Sequence, residues 1–284
     1  MAQREVQYYF GRLNVISART DKTSLISAGL VADGARAQAT VTHRGLNWGF
    51  FQVETIQSSL GEFAHGFLVK FKPRTAEEIA IPETREIDDR MIENRIRAKA
   101  RFFIHLPSHI IAYHPFGREI SRRVFASRFK ELFERNLDDF FVEAEIFPID
   151  EQRQISEAIG GLQRISRCRL YLHPSNPSNR QVWKGVDERL RRLEVASYRE
   201  EYEAEPNSNG LAIAEDEEIT SKIAMAEDGY GTAYIVGEVN GKKRTVSTQN
   251  APVIGMAPFD EQPADVVLER LTEVIRKILD RFGE

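Results

Sequence analysis

Three histidines lie close together in the middle of the chain: His105, His109 and His114, at spacings of four and five. On one helix face, His105 and His109 would have the spacing of paired zinc ligands. Pro107 stands between them, however, and the neighbouring residues alternate as strands do. No glutamate lies between them to act as a base. A second arrangement involves Tyr113-His114-Pro115 and Tyr171-Leu172-His173-Pro174, each closing a strand on His-Pro. On parallel neighbouring strands, His114 and His173 would emerge at one sheet edge, where open α/β sheets place ligands. Two histidines so placed serve as acid and base on a phosphodiester. The plainer alternative is that proline ends strands. Asp88-Asp89 and Asp138-Asp139 are the kind of acid pair that holds nuclease metals, but Glu143-x-Glu145 has no accompanying lysine. Phosphate-binding glycine loops and a G-x-S-x-G elbow are absent from the sequence. The single cysteine, Cys168, lies between Arg167 and Arg169. Strand alternation points those arginines away from it, so it reads as a core residue. The expectation is no metal, no cofactor and no catalytic residue, with the reading leaning against an enzyme.

Arginine-rich segments are the stronger signal. Arg95, Arg97, Lys99 and Arg101 recur at every second position. In an extended strand all four project from one face, about 7 Å apart, a comb suited to phosphates. Arg122 and Arg123 follow on a predicted helix, and Arg180, Lys184, Arg191 and Arg192 lie on or before another. Arginine suits planar recognition of phosphate. The alternative is a solvated edge strand guarded by charge.

Net charge hides this segregation. The chain has 284 residues and a formal charge of −4. Residues 90–130 carry ten Lys/Arg against two acids, and 164–192 carry eight against two. Residues 131–163 carry nine acids against two cations, and 194–228 eleven against two. A sorted charge binds a polyanion despite an acidic total. The opposing reading is mutual neutralisation across the folded surface. Hydrophobic content of 42% with 29% charged residues excludes wholesale disorder. One cysteine forms no internal disulfide, which with the absence of an apolar leader points to the cytoplasm. No apolar run is long enough to insert directly into a membrane.

The elements that must carry these residues follow from periodicity. Strands are expected at 5–18, 46–57 and 63–72, the last two as a hairpin, with 73–85 as a connection. Short strands at 100–106 and 109–114 precede a helix at 119–136, whose apolar arc is Phe125, Phe129, Leu132 and Phe133. A strand at 140–147, a helix at 150–159 with Asp150 as N-cap, a strand at 165–173 and a helix at 182–195 complete the middle. Residues 198–212 read as an acidic linker. Asn240-Gly241 marks a type I′ hairpin between 232–239 and 242–248. A helix at 265–282 ends the chain. The fold class is α+β: a strand-rich antiparallel N-terminal domain (1–90), a basic α/β domain (91–197) with a mixed sheet and packed helices, the linker, and a hairpin with the C-terminal helix (213–284).

The run Phe102-Phe103-Ile104-His105, then Ile110-Ile111-Ala112-Tyr113 and Phe116-Gly117 before an amphipathic helix, resembles the Rex A proteins of the lambda exclusion system. So do Val142-Glu143-Ala144-Glu145-Ile146, Cys168 to Pro174, and the late hairpin before a terminal helix. The element order also resembles the KwaB component of Kiwa phage-defence systems. This resemblance implies a prokaryotic or phage-derived homodimer that binds DNA with little sequence preference and acts in phage exclusion. It leaves room for an effector or membrane partner protein. The alternatives are a phosphodiester-cleaving nuclease, or a protein-binding adaptor that docks through 194–228.

Overall fold

The structure is a computed structural model. It describes residues 5–281 except 18–20, 32–38, 82–84, 138–141, 152–153, 176–179 and 259–261. In chain order the elements are β1 (Glu5–Ile16), α1 (Lys22–Leu30), β2 (Val41–His43), β3 (Leu46–Ser58), β4 (Gly61–Lys72), β5 (Thr75–Ile81), β6 (Glu86–Ile92), β7 (Arg95–His105), β8 (Ile110–Tyr113) and α2 (Arg122–Leu137). Then come β9 (Glu143–Pro148), α3 (Gln154–Gly160), β10 (Arg164–Leu172), α4 (Lys184–Arg192), β11 (Tyr198–Glu203), α5 (Glu217–Met225), β12 (Gly231–Val239), β13 (Lys242–Ser247), β14 (Ile254–Pro258) and α6 (Ala264–Leu279). The fold is α+β, as expected.

Sheet 1 runs β14-β1-β8-β7-β4-β3-β2, and β9 also pairs with β1, beside β14. Sheet 2 runs β11-β10-β12-β13, and β5–β6 form a separate hairpin. Every pairing among these strands is antiparallel. β1 is buried on both faces because its apolar residues occupy both parities. Val6, Tyr8 and Phe10 pack with α6, while Leu13 and Val15 pack with α1 and α2. Sheet 1 is therefore the middle of three layers. Sheet 2 carries α3, α4 and α5 on one face, around Cys168, Trp183, Tyr230 and Ile235. Its other face, with Arg167, Arg169, Tyr171 and Tyr234, has no helical layer among the described residues.

Several segments differ from the sequence reading. The middle section makes no sheet of its own: β8 and β9 extend sheet 1, and β10 begins sheet 2. Strand β1 also pairs with β14, near the end of the chain, so pairing crosses the boundaries drawn in sequence. The connection at 73–85 contains β5 and leads into β6. The linker begins as a strand, β11, fully paired with β10. The nuclease-like pair Asp138-Asp139 lies outside the described residues. Among the described residues, no helix is long and apolar enough to cross a membrane.

The two sheets meet where β1 touches the turn Ala226–Tyr230. Arg12, fully buried, donates to Asp228 O at 3.1 Å and Ser108 O at 2.7 Å, with its guanidinium 4.5 Å from the Tyr230 ring. Asn14 Nδ2 donates to Gly229 O at 2.8 Å. Gly231 follows at φ +154°, and a Cβ there would fall 2.0 Å from Tyr171 O. Gly231→Ala is expected to cost about 2–3 kcal/mol, from backbone strain and overpacking together. Urea unfolding measures it; an unchanged midpoint would contradict this packing.

Candidate nucleic-acid interface

The comb on β7 is broken by a bulge. Lys70 pairs with Ala98, but the next pairs are Phe71 with Ile96 and Lys72 with Arg95, which leaves Arg97 as the extra residue. An extra residue reverses the alternation on one side of it, and cross-strand partners share a face. Lys99 and Arg101 therefore go with Val69 and Phe67 on the α6 side. Arg101 is only 4% exposed. It donates to Gln262 O at 2.6 Å and lies 5.3 and 5.2 Å from the Phe67 and Phe103 rings. Lys99 sits 5.0 Å from the Phe67 ring. The expectation that all four cations face one way is thus corrected: Lys99 and Arg101 line aromatic rings on the opposite face.

The same bulge gathers other cations. Arg95 shares the α2 face with Lys70 and Lys72. Lys70 Nζ is 2.7 Å from Glu119. That hydrogen bond holds the Glu119 carboxyl below its ordinary range, and Arg97 adds to the effect through its charge. Arg118, Arg122 and Arg123 are exposed in the same stretch of chain. The Phe116–Ile120 bridge brings it back to the start of α2, where Ser121 Oγ accepts from Val124 N at 3.3 Å. Arg122 lies 4.9 Å over the Tyr9 ring of β1. From β1 to β4 is three strand spacings, about 14 Å, roughly two phosphate intervals at the ~7 Å spacing of the comb. Lys70 and Arg97 thus face Glu119 directly, and Lys72, Arg95, Arg118, Arg122 and Arg123 lie on the strands and chain segment beside them.

The second arginine group is differently placed. Arg180 is half-buried, with Nη1 3.4 Å from Asp228. Arg191 donates to Asp187 at 2.8 Å and to Ser175 O at 2.6 Å. Arg180 is thus drawn inward, while Arg191 is tethered but stays exposed on α4 beside Lys184 and Arg192. Lys184 and Arg192 are exposed on α4, and Lys184 lies 3.8 Å from Glu188. α4 packs on α5 in the helical layer of sheet 2, so this group and the β7 group belong to different layers. The acidic stretch is also engaged. Glu201 and Glu203 of β11 pair with Arg167 and Arg169, and Glu200 and Glu218 take the buried Lys222. The start of the expected acidic linker is thus neutralised locally, on β11 and α5.

A family model described as a domain of unknown function, DUF4747, matches residues 68–276. The chain belongs to the DUF4747 family. The matched DUF4747 region runs from the end of β4 to the last turn of α6. It takes in the bulged strand, the α2 face and all of sheet 2, while β1, β2 and β3 precede it. No curated protein matches the chain.

Within the DUF4747 region, the histidines serve separate purposes. His105 Nδ1 is 2.6 Å from Ser108 Oγ and its Nε2 is 2.9 Å from Leu60 O. The carbonyl can only accept, so Nε2 carries the proton and the Ser108 hydroxyl donates to Nδ1. This is the orientation of a serine–histidine pair, but both residues are buried. His109 holds a left-handed turn at φ +58°. Burial, with Arg12 nearby, pushes its pKa down to about 3. His114 bonds Gln7 O at 2.7 Å. His173 bonds Ala196 O at 2.8 Å and Glu145 at 2.9 Å. The proposed pair does not meet: His114 stands beside Tyr8, whereas Glu145 pairs with Asn14, six residues and about 20 Å further along β1. Their strands lie in different sheets and are not parallel neighbours. Among the described residues, no group of three or more His, Cys, Asp or Glu is arranged to hold a metal. Cys168 is buried, and burial pushes its thiol up to about 11.

Asp150 was expected to cap a helix. The helix starts later, at Gln154, and Asp150 is fully buried with neither carboxylate oxygen hydrogen-bonded among the described residues. Burial pushes its pKa up to about 8, and the neighbouring Glu227 adds to it. Glu227 itself is pushed up to about 7 by burial and Asp228.

Proposed function

We propose that this protein binds nucleic acid, duplex DNA foremost, through phosphate contacts on the α2 face of sheet 1, without base reading and without catalysis. The observation that supports this is the bulge at Arg97. It turns Arg95 and Arg97 toward Lys70, Lys72 and the arginines before and within the first turn of α2. Glu119 meets two of them, Lys70 through a hydrogen bond and Arg97 through its charge. A role in phage exclusion, in the cytoplasm and as a homodimer with an effector partner, rests on the resemblance to Rex A and KwaB and is part of the same proposal.

Gel shift at two salt concentrations tests it. With six phosphate contacts, affinity should fall roughly a thousandfold between about 50 and about 200 mM salt, with little dependence on sequence. Replacing Arg97 and Arg123 by Glu should flatten the log–log salt slope by ~0.9 for each phosphate that is no longer neutralised. Arg101 is left intact because it is buried. No shift at about 50 mM salt, or a slope unchanged in the double variant, would sink the proposal.

A further inference from the structure

We infer that the open face of sheet 2 is a second binding site, one that takes unpaired nucleotides of single-stranded nucleic acid. It lies on different strands from the basic face of sheet 1 and stands without it. The residues are set by register. Tyr171 pairs with Thr232 and Arg199, and Arg169 pairs with Tyr234 and Glu201. Tyr171 and Tyr234 are thus diagonal neighbours, roughly 7–8 Å apart at the backbone; Tyr234 is the exposed ring, and the Arg199 guanidinium lying over Tyr171 is the second planar surface, one for each of two successive bases. Between them and β11 runs an open groove of about 470 Å³.

The chemistry of the groove is that of a nucleotide. Tyr234 is 40% exposed, with Arg169 opposite it on β10 and Ser247 opposite it on β13. Arg199 lies 4.9 Å over the Tyr171 ring, a planar cation already stacked on an aromatic. Stacking on tyrosine and on guanidinium is sequence-tolerant, because every base has a π-face. Around the rings, the face presents Arg164, Arg167, Arg169, Arg199 and Lys243 against Glu201, Glu203, Glu238 and, beside Tyr171, Glu145, an excess of one cation that complements a polyanion. Glu201 sits 2.6 Å from Arg169. It occupies that guanidinium as a phosphate would, and an exposed ion pair is weak enough for a phosphate to displace it. Glu201 keeps its second partner, Arg167, 3.5 Å away.

Fluorescence anisotropy with labelled oligo-dT and oligo-U, each about six nucleotides long, provides the test. Saturable binding is expected, weakened about tenfold by Tyr234→Ala and retained by Tyr234→Phe. Arg199→Ala should weaken it as well. The pair Arg97→Glu with Arg123→Glu should leave hexamer binding intact while it depresses duplex binding, and Tyr234→Ala should do the reverse. Tyr234 is exposed, so its replacement leaves the core undisturbed, which circular dichroism checks. The inference is overturned if the hexamer fails to bind, if Tyr234→Ala binds as wild type, or if hexamer binding disappears with the Arg97/Arg123 variant. Stronger binding of oligo-U than of oligo-dT would identify RNA as the strand; the reverse would identify DNA.

Discussion

Asp150→Asn is expected to stabilise this protein increasingly as pH rises. The native carboxyl is fully buried, has no hydrogen bond on either oxygen among the described residues, and has a pKa of about 8 against an ordinary 3.8. The folded state therefore holds this proton more tightly than the unfolded chain does. Below pH 3.8 both states are protonated and the native state keeps its full stability. Between 3.8 and about 8 the unfolded chain sheds the proton first, and stability falls by roughly 1.4 kcal/mol per pH unit. At pH 7 the accumulated loss is roughly 4 kcal/mol. An asparagine does not titrate. Its unpaired amide carries a fixed cost of about 1–3 kcal/mol, which offsets the whole curve without changing its slope. His109 works in the opposite sense: its native pKa of about 3 lies below 6.5, so its contribution is present above 6.5 and lost as pH falls. Wild type and variant share it, so it cancels from their difference. Urea unfolding from about pH 4 to about pH 9 gives that difference directly. A difference independent of pH would show that Asp150 has found a partner.

The sequence made some of this structure plain and hid the rest for physical reasons. Asn240-Gly241 requires positive φ at both positions, and both have it, at 52° and 72°. The apolar stripes of α2 and α6 were visible because each helix buries one face in a core formed largely by sheet 1. β11 was hidden because its sequence, Tyr-Arg-Glu-Glu-Tyr-Glu, has almost no apolar alternation. Its acids are matched by arginines on β10, some 32–36 residues away, and only pairing reveals them. The comb failed for another reason. Strand parity was carried through Arg97, and a bulge leaves no mark in residue type when the extra residue is not glycine. Asp150 kept the local look of an N-cap, since residue type suggests a cap but the position where the helix starts decides it. Arg12 gave no local sign at all, because one of its carbonyl partners lies 216 residues away.

Arg12→Ala is expected to cost about 3–5 kcal/mol, the loss typical when one partner of a buried charged network is removed. The guanidinium bonds the turn before β8 and the turn before β12 at once, through Ser108 O and Asp228 O. Truncation leaves those two carbonyls buried and strips the cation from the Tyr230 ring. Asp228 itself stays held by Trp183 Nε1 at 2.7 Å and by Arg180, so the loss is concentrated between the sheets and not within sheet 2. Arg12→Lys keeps the charge but replaces a planar fork by a single ammonium, which reaches fewer acceptors in fixed geometry, so it should fall between alanine and wild type. A second readout separates this role from generic packing. Arg12 is part of what depresses His109, so the His109 pKa, followed by NMR, should rise in Arg12→Ala while Arg12→Lys leaves it low. Urea unfolding within about 1 kcal/mol of wild type, together with an unmoved His109 titration, would show that the seam is held by Asn14 and apolar contact instead.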